Sequence, residues 1–571
     1  MRQSTKIILA SGLASLAMAC AGTPKWSPET AYGDEPARLA DFLAARYAGL
    51  TDDPAGAARF YRRAYEREPV DAELLERAVV ASLLAGDTGG AAQMASSAAD
   101  PVLAQAPFAS LTRVADDISR GRTRQALQRI DRGGLGAANM DLSRYLGAWL
   151  ESSSNLDHAM ARLQSDTRQR IQGESNAVAG LILAARARPE EARARLELAW
   201  SSRIRDPDAT ATLIKLTQDP VRAADIVDQY RIVAGYDPVI ESLAVDPATG
   251  RRPAARAELS PSSALRMSGR SLMSRSNPEL ASIYLALASH IDPGNDGVRV
   301  DLAEALRQLG RPSQALAALE GVDAASPYRP RALMLAALSH EDLGENDQAL
   351  ASADAALAIA RPRALLVQAG DLNRSLGRHS DAERYYDEAA RLDAGQSRED
   401  WRLLFARAVE RDRLGRWPEA EADLKRALEL EPDRPELLNF LGYGWVERGG
   451  NVREGLALIE RALAARPDQG YIVDSLGWAH YRLGDYDEAV IQLERAAELS
   501  PSDASINDHL GDAYWRSNRQ REAEYQWRRA LTQGPSPDLE TQLRAKLASG
   551  LAPVDAPRAV AGGAARPRVE Q

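Results

Sequence analysis

Six histidines, a single cysteine and 81 acidic residues are the side chains from which this chain could assemble an active site or a metal centre. His158, His290, His340, His379, His480 and His509 stand singly. None belongs to an H-E-x-x-H pair or meets a second ligand at metal spacing, so zinc chemistry has no scaffold here. The stretch Asp292-Pro293-Gly294-Asn295-Asp296-Gly297 starts like a calcium loop but places Gly294 and Ala303 where that loop needs oxygen, and it reads as a turn. No G-x-S-x-G elbow, Walker glycine loop or G-x-G-x-x-G turn occurs. Cys20, alone, excludes internal disulfides. The remaining chemistry is recognition, and its reading depends on the elements that would carry it.

The chain has 571 residues, 45% hydrophobic and 27% charged, which excludes disorder throughout and provides for several cores. Its net charge of -10 offers no broad basic surface to nucleic acid or anionic lipid. Arg2 and Lys6 precede an apolar run, Ile7 to Met18, too short to span a bilayer that needs ~20 helical residues, and this reads as an export signal. Cys20 follows Leu16-Ala17-Met18-Ala19, which resembles a bacterial lipobox and makes Cys20 the expected acylated residue. Cleavage at Ala17-Met18-Ala19 without lipidation is the alternative. Ala21 is not Asp, so by resemblance to lipoprotein sorting the expected destination is the outer membrane, facing the periplasm.

Repetition decides the fold. Between residues 470–503 and 504–537, Leu476-Gly477 recurs as Leu510-Gly511, Ala489 as Ala523, Ala496 as Ala530 and Pro501 as Pro535, each 34 residues on. Upstream the place of Gly477 falls to Gly442, Ala408, Gly370, Ala337, Ala303 and Gly269. Small residues there let paired helices approach, Gly484 ends one helix, and Pro501 stops the next. Helices of about 12 residues are marginal alone and need stacking. Ala57, Ala91, Ala126, Ala159 and Ala192 mark five poorer units, and a further one at Ala223 is irregular.

This pattern is identified as tetratricopeptide-repeat (TPR): an all-α solenoid, a right-handed superhelix of antiparallel helix pairs with about 13 to 14 repeats in two segments. The expected organisation is a signal peptide 1–19, a lipid-anchored flexible tether 20–35, a degenerate repeat segment 36–240, a linker 241–263, a second repeat segment 264–549 closed by a cap helix, and a disordered tail 550–571. The resemblance implies that the first helix of each pair lines an inner groove. In the last three units the inner places include Asn439 and Tyr443, then Asp474, Trp478, Tyr481 and Arg482, then Asp508, Asp512, Trp515 and Arg516. Carboxamides and carboxylates on successive turns suit an extended peptide backbone, and rigid aromatics give contact area at little entropy cost. Trp445, Tyr514 and Trp527 occupy packing places.

The carboxy-terminal strings DSLGWAHYRLGDYDEA and INDHLGDAYWRSNRQREAEYQWRRAL resemble large bacterial TPR lipoproteins, some of which are adaptors of a periplasmic carboxy-terminal processing protease. The resemblance implies a non-catalytic scaffold without cofactor or metal, with protein partners such as a protease and peptidoglycan hydrolases. An assembly factor for outer-membrane proteins or polysaccharide export is the alternative, and a repeat-containing enzyme the remotest.

Overall fold

The computed structural model describes residues 35–133, 135–164, 169–244, 259–393 and 399–552. Cys20, the segment 1–19 and most of the tether lie outside these residues, as do 245–258 of the expected linker and 553–571 of the tail. Among the described residues every regular element is a helix, and none is long and apolar enough to cross a membrane.

The pairing follows from small residues. Ala489, Ala496, Ala523 and Ala530 are fully buried. A Cβ on Gly477 would come within 2.5 Å of the Leu493 side chain, so only glycine admits that approach. Gly484 ends the Gly470–Leu483 helix in the left-handed region, φ 83°, and its N–H closes on the carbonyls of His480 and Tyr481. Asp503 starts the Ala504–Arg516 helix by accepting from the N–H groups of Ser505 and Ile506. The weaker amino-terminal signals fold likewise, with Ala57, Ala91, Ala126, Ala159 and Ala192 all buried in second helices. At the irregular unit the Pro220–Ala234 helix buries Ala223 but touches the preceding helix only weakly.

The chain forms two compact units, Met1–Arg361 and Pro362–Gln571. The division therefore falls at residue 361, not in the segment 241–263 where the periodicity lapses. Helices after that segment belong to the first unit because they pack on its early helices: the Tyr284 hydroxyl donates to Asn139 Oδ1 at 2.7 Å, and Arg311 donates to the Leu84 carbonyl at 3.0 Å. A buried ionic cluster reinforces the join. Arg266, 1% exposed on the Ser262–Met273 helix, donates to Asp301 at 2.7 Å, to Asp208 at 2.7 Å and to the Tyr328 hydroxyl at 3.1 Å, while Arg270 reaches Asp301 at 2.6 Å. Burial pushes up the Asp301 carboxyl, but Arg266 and Arg270 outweigh it and hold it at about 2. Asp206, buried beside Asp208, is pushed up to about 7.

Candidate functional site

The last first-helices of the second unit, Pro435–Arg448, Gly470–Leu483 and Ala504–Arg516, lie side by side, each backed by its own second helix. This brings the ten residues singled out in the sequence onto one face, but their own chain already engages most of them. Asp474, 2% exposed, accepts from His509 Nδ1 at 2.9 and 3.1 Å. Burial works against the imidazolium, yet the charges of Asp474, Asp508 and Asp512 outweigh it and hold His509 at about 9. Trp478 stacks on Tyr481 at 4.7 Å and on His509 at 4.2 Å, and donates to Glu447 at 2.7 Å. Arg482 is exposed and donates to the Glu447 carbonyl at 2.7 Å.

The last first-helix is covered more completely. The Pro537–Ser549 helix inserts Lys546 between Asp508, at 2.6 Å, and Asp512, at 2.7 Å. Asp512 also accepts from the Trp527 indole at 3.0 Å. Burial and then Asp512 push the Asp508 carboxyl up to about 6, with Lys546 opposing. Burial disfavours the Lys546 ammonium, but the two aspartates overcome it and keep its pKa above the ordinary value. Trp515 tilts against Trp527 at 5.4 Å and leaves no room for a side chain at Gly550. Arg516 donates to the Ala552 carbonyl at 2.7 Å and to the Tyr481 hydroxyl at 3.4 Å. The terminal helix thus does more than solvate the last unit: it occupies the carboxylate pair that the sequence offers to a partner.

One stretch of the face is left without internal partners. Asn439 is 4% exposed and its Oδ1 has no hydrogen bond. Tyr443, one turn on and 8% exposed, has an unpartnered hydroxyl. Burial, with the nearby charges of Glu447 and Asp474, raises its pKa well above the ordinary phenol. Glu436 Oε2, on the same stripe of the helix, is buried without a partner. The packing aromatics behave as expected: Trp527 is fully buried, Tyr514 donates to Glu494 at 2.7 Å, and the Trp445 indole to Glu421 at 3.0 Å.

Inspection of the ten inner places alone misses His509 and Lys546. Both carry a register signal, since 546 minus 512 is 34 and 509 minus 474 is 35, which puts each on the helix face directed at the preceding unit.

Stacked helix pairs with polar residues presented along their first helices define an α-solenoid whose chemistry is surface recognition. Tetratricopeptide-repeat profiles match residues 367–435, 405–470 and 446–504, and a second such profile matches 272–338. Residues 272–338 and 367–504 are tetratricopeptide repeats. The chain is 35% identical over 91 residues to a TPR repeat-containing protein of Pseudomonas aeruginosa, a stretch that spans 16% of this chain and 15% of that relative. Among solved structures it is similar to the APC/C Cut9–Hcn1 hetero-tetramer (14% identity, 90% of this chain and 96% of that one, TM-score 0.38) and to yeast Tom70 (14%, 90% and 96%, 0.33). A tetratricopeptide-repeat protein of Parabacteroides merdae covers 50% of this chain and 99% of its own (15% identity, TM-score 0.36).

Proposed function

We propose that this protein is a non-catalytic scaffold, held by a lipid on Cys20 at the periplasmic face of an outer membrane, that binds segments of partner proteins along the first-helix face of its second unit. The observation that carries the reading is the pair Asn439 and Tyr443, whose buried polar atoms find no partner among the described residues. A buried polar group left unmade costs about 1 to 3 kcal/mol, and a docking segment that supplies the bond recovers it. The repeat architecture supports the same reading, because repeat proteins of this kind present binding surfaces. Delivery of substrates to an envelope protease or to peptidoglycan-remodelling enzymes is the narrower role we assign, on the likeness of the carboxy-terminal repeats to large bacterial TPR lipoproteins.

Photo-crosslinking from position 471, at the edge of the unpartnered stripe, tests the reading in intact cells. The expected result is a small set of envelope proteins cross-linked at that site and absent from a probe at exposed Glu498. Equal capture from both positions would remove the groove from the proposal. Intact mass of membrane-extracted protein tests the anchor, with a diacylglycerol-modified Cys20 as the expected first residue.

A further inference from the structure

The three first-helices of the candidate site pose one question to their neighbours, and two of them have it answered. Asp508 and Asp512 hold the ammonium of Lys546 from the next first-helix in sequence. Asp474, one unit earlier, holds the imidazole of His509, again from the next first-helix, and His509 is charged at neutral pH. One unit earlier still stand Glu436, Asn439 and Tyr443, and here the series breaks. The next first-helix, Gly470–Leu483, offers Ser475 and Trp478 at the places of His509 and Lys546, and the Trp478 indole is spent on Glu447 at 2.7 Å. The Ser475 hydroxyl is spent on the Tyr471 carbonyl at 3.0 Å. Among the described residues no cation bonds to the stripe, and Glu436 Oε2, Asn439 Oδ1 and the Tyr443 hydroxyl stay unpartnered.

We propose that this stripe takes a lysine or arginine side chain from a partner protein, seated in trans as Lys546 is seated in cis one pair further on. The proposal rests on the scaffold reading above and specifies its ligand. Its chemistry is set by the unpaired atoms. Asn439 Oδ1 and Glu436 Oε2 only accept, and the Tyr443 oxygen accepts as well, so the incoming group must donate. Glu436 makes no ion pair among the described residues, and its carboxylate favours a cationic donor over a neutral one and disfavours an anionic segment. Arg482 and Arg448 are the cations near Tyr443, and they are engaged at Glu447 and at Asp412. Tyr471 lies near Glu436 and offers apolar contact to the methylene stem.

The test uses the full mature chain and a random linear-peptide library. Selected peptides are expected to be enriched in lysine or arginine. Replacing the basic residue of the best peptide by norleucine should raise its Kd about tenfold or more, the effect of one hydrogen bond to a charged group. Tyr443→Phe and Glu436→Gln should each weaken the wild-type peptide and leave the norleucine peptide unaffected. Because the Tyr443 hydroxyl has no partner among the described residues, Tyr443→Phe should bind more weakly at an unchanged or raised melting temperature, which a packing role would not produce. Peptides without basic residues, or a Kd insensitive to both substitutions, would overturn the proposal while leaving the scaffold reading to the cross-linking result. Failure to enrich any peptide would overturn it as well. Loss of cross-linked partners from position 471 in cells would instead strike the scaffold reading itself.

Discussion

Each compact unit buries charge on its first helices, but the two clusters are made of different groups. In the first unit the cation is Arg266, a guanidinium that stays protonated at any accessible pH and is bonded to Asp208, Asp301 and Tyr328 at once. In the last repeats of the second unit the cations are His509 and Lys546, of which His509 titrates at about 9. The first cluster ties helices from both sides of an aperiodic segment into one body. The second neutralises carboxylates on the first-helix face. Permanent charge suits a brace, whereas the last repeats are held by single contacts that one residue supplies.

The largest expected effect comes from breaking the brace. Arg266→Met leaves Asp208 and Asp301 buried without their shared cation, and the expected loss is about 3 to 5 kcal/mol. Hydrogen exchange should show that loss within residues 35–361 and leave 435–549 protected as before. Equal loss in both units would show that the contrast between them is false.

The second effect depends on pH. His509 has a folded pKa of about 9, above its ordinary 6.5, so the stability it gives with Asp474 is complete below about pH 6.5 and is lost as pH rises through about 9. The loss is about 3 kcal/mol and falls in the second unit. Asp206 acts in the opposite unit and in a lower range. Its carboxyl, ordinarily at 3.8, sits at about 7 in the fold, so the folded state binds its proton more tightly and the first unit loses stability as pH rises between these values. Segment-resolved hydrogen exchange at pH 6, 7.5 and 9.5 should separate the two, and His509→Gln should abolish the alkaline step alone.

Ala489→Leu comes third. It overpacks a fully buried helix contact and should cost about 1 to 3 kcal/mol, confined mostly to its own and adjacent repeats. A loss as strong in residues 40–200 would contradict the local character of the stack. The smallest effect is Tyr443→Phe, expected to leave stability unchanged or raise it by up to about 1 kcal/mol, since the buried hydroxyl it removes makes no bond. A clear drop in melting temperature would mean that the hydroxyl is satisfied inside the fold, and the contrast between occupied and vacant stripes would lose its best marker.

Much of the fold was legible because its signals are local and repeated. Gly477, Ala489 and Pro501 recur 34 residues later, and each acts on the helix in which it stands or on the next one in the chain. The candidate site was legible by half. The ten residues share a face, as their register implies, but which of them are free depended on Lys546 and His509, residues judged by other roles: the first as part of a solvating helix, the second as one of six solitary histidines. The division at residue 361 was not legible for a related reason. Residues 245–258 lack periodicity, and a lapse of local pattern says nothing about helices such as Pro278–Ile291 that return to pack on Pro107–Ser119.

The sequence by itself determined that this protein is a stack of helix pairs and which side chains each first helix turns toward its neighbours, because helix periodicity and close approach at small residues are properties of a few residues at a time. The tertiary structure alone decided how the charges are shared: that Arg266 joins Asp208 to Asp301 across an aperiodic stretch, that Lys546 fills the last carboxylate pair, and that Asn439 and Tyr443 are left unmatched. Hydrogen bonds and ion pairs operate over about 3 Å, and only the folded chain brings residues 58 positions apart, as Asp208 and Arg266 are, within that reach.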